Sequence, residues 1–142
     1  MSYWTSAFLM SKPFTVKESK NYLMELDQMG VYRLYSGEDG QSHIEELSED
    51  SIKDIKLDGS SMNFSVSQRE PGHFSDYHPA PRRRWQVGVV GRTVIGLGDG
   101  TSRTFSPGDV RLIEDLTGQG HTTTYPDGYN VTLQVTAPED IK

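Results

Sequence analysis

The chain has 142 residues, with 14 Lys+Arg against 20 Asp+Glu and a formal net charge of -6. That length suits one domain, and the acidic balance argues against a nucleic-acid or anionic-membrane partner, because neither is drawn to such a surface. With no cysteine, disulfides, thiolate metal sites and cysteine nucleophiles are excluded, while 14 Gly and 7 Pro beside a hydrophobic fraction of 34% favour turns and strands over long helices.

Met1 to Met10 lack a basic leader and hold only the short apolar run Ala7-Phe8-Leu9-Met10. They do not read as a signal peptide, and no stretch approaches the length of a membrane span. A cytoplasmic location is the expectation. Under it, the sequons Asn63-Phe64-Ser65 and Asn130-Val131-Thr132 are chance matches. Further on, Thr15-Val16-Lys17-Glu18 has capping-box spacing, in which a hydroxyl and a carboxylate satisfy orphan amides reciprocally. Tyr22, Leu23, Leu26 and Met29 repeat at helical spacing, and Gly30 fits the C′ position. The reading is an N-terminal segment with one amphipathic helix over 1–30, packed across a β domain over 31–142.

From Val31 the pattern turns to strands. Val31-Tyr32-Arg33-Leu34-Tyr35 alternates and ends in the turn Ser36 to Gly40. The charged stretch Glu45 to Lys56 is expected as an edge strand with a solvated loop. Met62 to Ser67 alternates cleanly and is expected as a strand with one buried face. Trp85 to Leu97 is the longest β-like run; Gly98-Asp99-Gly100 then makes a tight turn to a partner strand, Ser102 to Phe105. Pro107-Gly108-Asp109 precedes a strand over Val110 to Ile113, and a last strand covers Tyr129 to Val135. Short strands with frequent turns predict a sandwich or barrel.

Three blocks carry a more specific signal. They are Leu34-Tyr35-Ser36-Gly37-Glu38-Asp39-Gly40-Gln41-Ser42-His43, then Ala80-Pro81-Arg82-Arg83, then Pro107-Gly108-Asp109-Val110 with Glu114-Asp115-Leu116-Thr117-Gly118-Gln119-Gly120-His121. Around the second block, Gly72, His78, Ala80, Arg84 and Gly91 keep the spacing of a Gly, two His, a Glu and a Gly. In these features the chain resembles the cupin superfamily, and within it a subgroup of small single-domain members. The resemblance spans most of 31–136 and implies an all-β, cupin-type β-jelly-roll barrel with one N-terminal helix. It also implies a homodimer paired through outer strands. Function does not come with the fold.

A typical cupin centre gathers imidazoles and one carboxylate around a metal. Here only His78 and His121 stand at matching positions, and Arg84 occupies the place of the carboxylate, where its permanent charge opposes a cation. The expectation is therefore no cofactor. The alternative is a divalent metal such as Fe, Mn, Ni or Zn on His78, His121 and His43. In the preferred reading His78 and His121 act as general acid and base while Arg84 binds a developing oxyanion. That is the chemistry of cofactor-independent isomerases, dehydratases and cyclases acting on a small molecule. The competing readings are a non-catalytic small-ligand module and a metal-dependent oxygenase or lyase.

Gln86, His43, Arg82 and Trp85 are the expected substrate-binding residues. Gln86 shares a strand face with Arg84, whereas Arg83 should point away from Arg82 and Arg84. His43 is open between loop packing and the site. His73 reads as an exposed loop histidine. The pair Glu114-Asp115 reads as structural, with Asp115 bracing its loop or pairing with an arginine near Arg83. Tyr32, Tyr35, Phe64, Trp85 and Tyr129 read mostly as core or dimer-interface residues, one or two of them lining an aromatic pocket.

Overall fold

The computed structural model describes residues 30–53 and 62–137. The expected helix of the N-terminal segment falls outside them. Ten strands and one short helix follow in order: β1 (Val31–Ser36), β2 (Ser42–Glu46), α1 (Glu49–Ile52), β3 (Met62–Gln68), β4 (His73–His78), β5 (Arg84–Val90), β6 (Thr93–Gly96), β7 (Ser102–Phe105), β8 (Val110–Glu114), β9 (His121–Tyr125) and β10 (Tyr129–Thr136). A six-stranded sheet runs β2-β1-β8-β5-β10-β3, and a four-stranded sheet runs β4-β9-β6-β7. All ladders are antiparallel except β1 on β8, which is parallel.

The all-β expectation therefore holds in its coarser form, two sheets of a β-sandwich. Barrel closure does not: among the described strands the ladders end at β2 and β3 in one sheet and at β4 and β7 in the other. The longest β-like run, Trp85 to Leu97, divides between the sheets. β5 ends before Gly91, whose φ of +75° suits glycine, and a Cβ there would meet the Tyr129 carbonyl oxygen at 2.1 Å. The hairpin of β6 and β7 forms as expected across Gly98-Asp99-Gly100, with Leu97 N–H donating to the Thr101 carbonyl at 2.8 Å.

Period-two alternation then sorts side chains into two layers. Facing inward are Tyr32, Leu34, Ala80, Ile95, Phe105 and Ile113, all buried, with Ile44 and Leu97 against them. A second cluster, Trp85, Leu112, Val135 and Ala137, lies on the outward face of the six-stranded sheet beside Val31, Leu47, Ile52 and Val110. Leu47 and Ile52 come from the stretch expected as an edge strand. That stretch instead splits, with β2 ending at Glu46 and α1 following over Glu49–Ile52.

Cover on the outward face is incomplete. β3 forms where expected, but Met62, Phe64 and Val66 are 56%, 66% and 62% exposed rather than buried. The reason is position: β3 is the edge strand, and these residues pair with Val135, Leu133 and Val131 on the outward side. Phe64 and Tyr129 are consequently exposed and not core. Strands β4 and β9 lie in stretches the sequence reading treated as loops or motif.

One outer contact ties three chain segments. The Glu114 carboxylate accepts hydrogen bonds from Arg33 Nε and, at 2.7 Å, from Arg83 Nε. Arg33 also donates to Glu45 at 2.9 Å, so β1, β2, β8 and the approach to β5 share one ionic cluster. Burial raises the Glu114 carboxyl, yet the two guanidiniums outweigh it and hold the group below its ordinary 4.5. A depressed carboxylate contributes stability that is present above 4.5 and is lost as pH falls through the lowered folded value. Glu114→Gln should therefore cost about 1–3 kcal/mol near neutral pH. Urea unfolding across a pH series should show the gap from wild type closing in acid.

Candidate functional site

Polar groups gather at the end of the sandwich where β4 and β9 meet the loop after β8. His78 and His121 stand opposite each other in the β4–β9 register, after a bulge between Ser75 and His78. Their ring centroids are 4.8 Å apart at an interplanar angle of 53°. Gly120 makes this approach feasible: its φ is +78°, and a Cβ would lie 2.1 Å from the His78 carbonyl carbon and oxygen. The glycine before the histidine is thus a steric requirement of the pair.

Behind His121 sits Asp115, with no solvent exposure. Its Oδ2 lies 2.5 Å from His121 Nδ1 and accepts a hydrogen bond from the Ser42 hydroxyl at 2.7 Å. The Asp115 carbonyl accepts from Ala80 N–H at 2.9 Å, which anchors the chain just past His78 to the same residue. His78 Nδ1 is 2.6 Å from the Asp76 carbonyl oxygen. A carbonyl can only accept, so His78 carries its proton on Nδ1, and the carboxylate favours the same tautomer for His121. Each neutral ring then has its Nε2 lone pair available as a base.

Arg84 enters from β5. Its Nη1 donates to the Arg82 carbonyl at 3.1 Å, and its buried Nε makes no hydrogen bond. Burial lowers the Arg84 guanidinium, as does the charge of Arg82, while Asp115 and Tyr125 act in the opposite sense. Asp115 is therefore close enough to be felt without forming an ion pair. Gln86, two residues on, accepts from Arg111 Nη2 at 2.8 Å and donates to the Thr132 hydroxyl at 3.3 Å.

The structure thus brings His78, His121, Arg84 and Gln86 onto the inward layer, but not the other three expected site residues. Trp85 is buried in the outward cluster with Leu112 and Val135, as alternation on β5 requires. Arg82 is exposed, and only its backbone carbonyl meets Arg84. His43 turns outward because its neighbour Ser42 turns inward to Asp115; its Nε2 lies 3.0 Å from Asp39 and its ring 5.6 Å from Tyr35. The alternative metal set His78, His121 and His43 is consequently not assembled. Among the described residues, no group of three or more His, Asp and Glu side chains is placed to hold a metal ion.

Two residues were missed. Asp115 was read as a loop brace or arginine partner, yet Glu114 takes Arg83 and Asp115 takes His121. The spacing Asp115 to His121 was visible, but only folding of the intervening Gly118 and Gly120 turns one toward the other. Arg111 is not singled out by any motif in the sequence. It is 4% exposed, stacks 4.7 Å from the Phe105 ring centroid, and burial pushes its guanidinium down to about 10. Its signal was a charged residue at an inward position of an otherwise apolar strand, Val110-Arg111-Leu112-Ile113.

No family model matches the chain, and no curated protein matches it. Among solved structures the chain is similar to protein NMB1881 from Neisseria meningitidis, with 10% identity and a TM-score of 0.38, over 83% of this chain and 95% of that one. A likeness at this level shows neither family nor chemistry. No helix among the described residues is long and apolar enough to cross a membrane.

Asp115→Ala should strand the Ser42 hydroxyl and the His121 Nδ1–H in the interior, at about 1–3 kcal/mol for each unsatisfied group. Asp115→Asn keeps an acceptor oxygen and should retain most of that stability. Urea unfolding of the two variants beside wild type checks the difference.

Proposed function

We propose that the chain is a small single-domain cupin of jelly-roll type that catalyses proton transfer on an oxygenated small molecule without a redox cofactor. The reaction class is isomerisation, dehydration or cyclisation. The observation that carries this reading is the Asp115–His121 hydrogen bond with the His78 ring 4.8 Å from the His121 ring. A buried carboxylate behind one imidazole fixes its tautomer and stabilises the imidazolium that forms when Nε2 takes a proton. The second imidazole supplies the complementary acid in its imidazolium form, giving up the proton on Nε2 and keeping the Nδ1–H on the Asp76 carbonyl. Arg84, half-buried and without a carboxylate partner, serves the oxyanion that develops when a carbon acid loses its proton.

Gln86 is the polar positioning group beside Arg84, through its bonds to Arg111 and Thr132. A ligand-binding module using the same residues is the second reading, favoured by the unpaired buried cations. The two part on His121. In the catalytic reading, deuterium uptake from D2O into small carboxylates and phenols, followed by ¹H NMR, identifies the substrate. His121→Ala then abolishes exchange or turnover with the unfolding midpoint preserved; undiminished activity in that variant would sink the proposal.

The expected homodimer is supported by the exposed stripe Met62, Phe64 and Val66 on edge strand β3. An unprotected apolar edge is a ready surface for a second copy. Phe64→Glu should convert a dimer to a monomer in sedimentation velocity, and a wild-type monomer at tens of micromolar refutes the pairing.

A further inference from the structure

The arginines divide by layer. On the outside Arg33 pairs with both Glu45 and Glu114, Arg83 with Glu114 and Arg92 with Asp127, while Arg69 and Arg82 are exposed to solvent. Inside, Arg84, Arg103 and Arg111 have no carboxylate within ion-pair distance among the described residues, and the Nε of each is buried without a hydrogen-bond partner. Desolvated cations are costly unless an anion accompanies them. Arg103 has a packing explanation: it stacks 3.8 Å from the Tyr32 ring centroid and donates to the Tyr32 hydroxyl. Arg111 also stacks, 4.7 Å from the Phe105 ring centroid, but neither it nor Arg84 has a carboxylate within ion-pair distance among the described residues.

These two face one another across neighbouring strands. In the β5–β8 register Gln86 is opposite Arg111 and Arg84 is opposite Ile113, so Arg84 and Arg111 are diagonal neighbours on the inward face. Such diagonals separate Cα atoms by about 7–8 Å. Arg84 is among the groups that lower Arg111, after burial, as their closeness requires. Arg84 uses Nη1 on the Arg82 carbonyl, and its buried Nε has no hydrogen-bond partner. Arg111 spends Nη2 on Gln86 and retains an unengaged Nε.

We infer that Arg111, held by Gln86, forms a second oxyanion subsite beside Arg84, and that the molecule taken between the sheets is a small dicarboxylate with its two acid groups a short carbon chain apart. This deepens the proposed acid–base reading by naming its substrate class and rests on that reading's placement of Arg84. Binding alone tests it, so the absence of turnover leaves the test intact.

Isothermal titration at matched ionic strength should compare succinate and glutarate with acetate, propionate and inorganic phosphate on the wild-type protein. The expected result is at least tenfold tighter binding of a dicarboxylate than of either monocarboxylate. Arg111→Met should reduce that affinity to the monocarboxylate level while the thermal midpoint stays or rises, because an unpaired buried charge has been removed. Arg111→Lys, which keeps charge but loses the fork, should lose at least fivefold and serves if the Met variant does not fold. Equal affinity for acetate and succinate, no binding of either, preference for phosphate, or unchanged dicarboxylate affinity in the Arg111 variants would each overturn the assignment.

Discussion

A carboxylate with no solvent exposure, that of Asp115, sits just past the end of β8 and needs hydrogen-bond donors for its charge. It finds donors in both sheets, the Ser42 hydroxyl from β2 and the His121 ring from β9. Its own carbonyl holds Ala80 N–H, which fixes the segment between β4 and β5. Burial without such partners would be prohibitive, so the hydrogen bonds and the burial require one another. Everything proposed about the site depends on this residue: it orients His121, places His78 opposite through the chain at Ala80, and exerts its field on Arg84.

The sandwich is unusual in where it puts polarity. Between its sheets lie Arg111, Thr93, Thr123, Asn130 and Thr132, all buried, alongside the apolar group around Leu34 and Ile113. They are connected where chemistry allows, as in Asn130 to Thr93 at 3.3 Å across the sheets and in the chain Arg111–Gln86–Thr132. The outward face of the six-stranded sheet is the more hydrocarbon-like surface, carrying Trp85, Leu112 and Val135 in one buried patch and Met62, Phe64 and Val66 exposed beside it.

Much of the strand set was legible from alternation and turns, because both are local. β1, β3, β7, β8 and β10 coincide with runs whose side chains alternate between turn residues, and the glycine–aspartate hairpin closed as its sequence requires. Which side of a strand would be covered was not legible. Met62, Phe64 and Val66 alternate as cleanly as a buried strand, and only the edge position of β3 leaves them open. The break at Gly91 escaped for a similar reason: the change of sheet depends on the Tyr129 backbone packed against it.

The sequence by itself determined the all-β class, the exclusion of thiol chemistry and the candidacy of His78, His121, Arg84 and Gln86, because composition, period and motif spacing are properties of the chain alone. Only the tertiary structure decided that Asp115 and not Glu114 backs the histidine, and that Trp85 and His43 face away from it. It also decided that Arg111 lies buried beside Arg84 without an acidic partner. Those outcomes follow from register and from which face of each sheet meets the other. Arg111 beside Arg84 joins segments tens of residues apart, and even the six-residue step from Asp115 to His121 depends on how Gly118 and Gly120 fold between them.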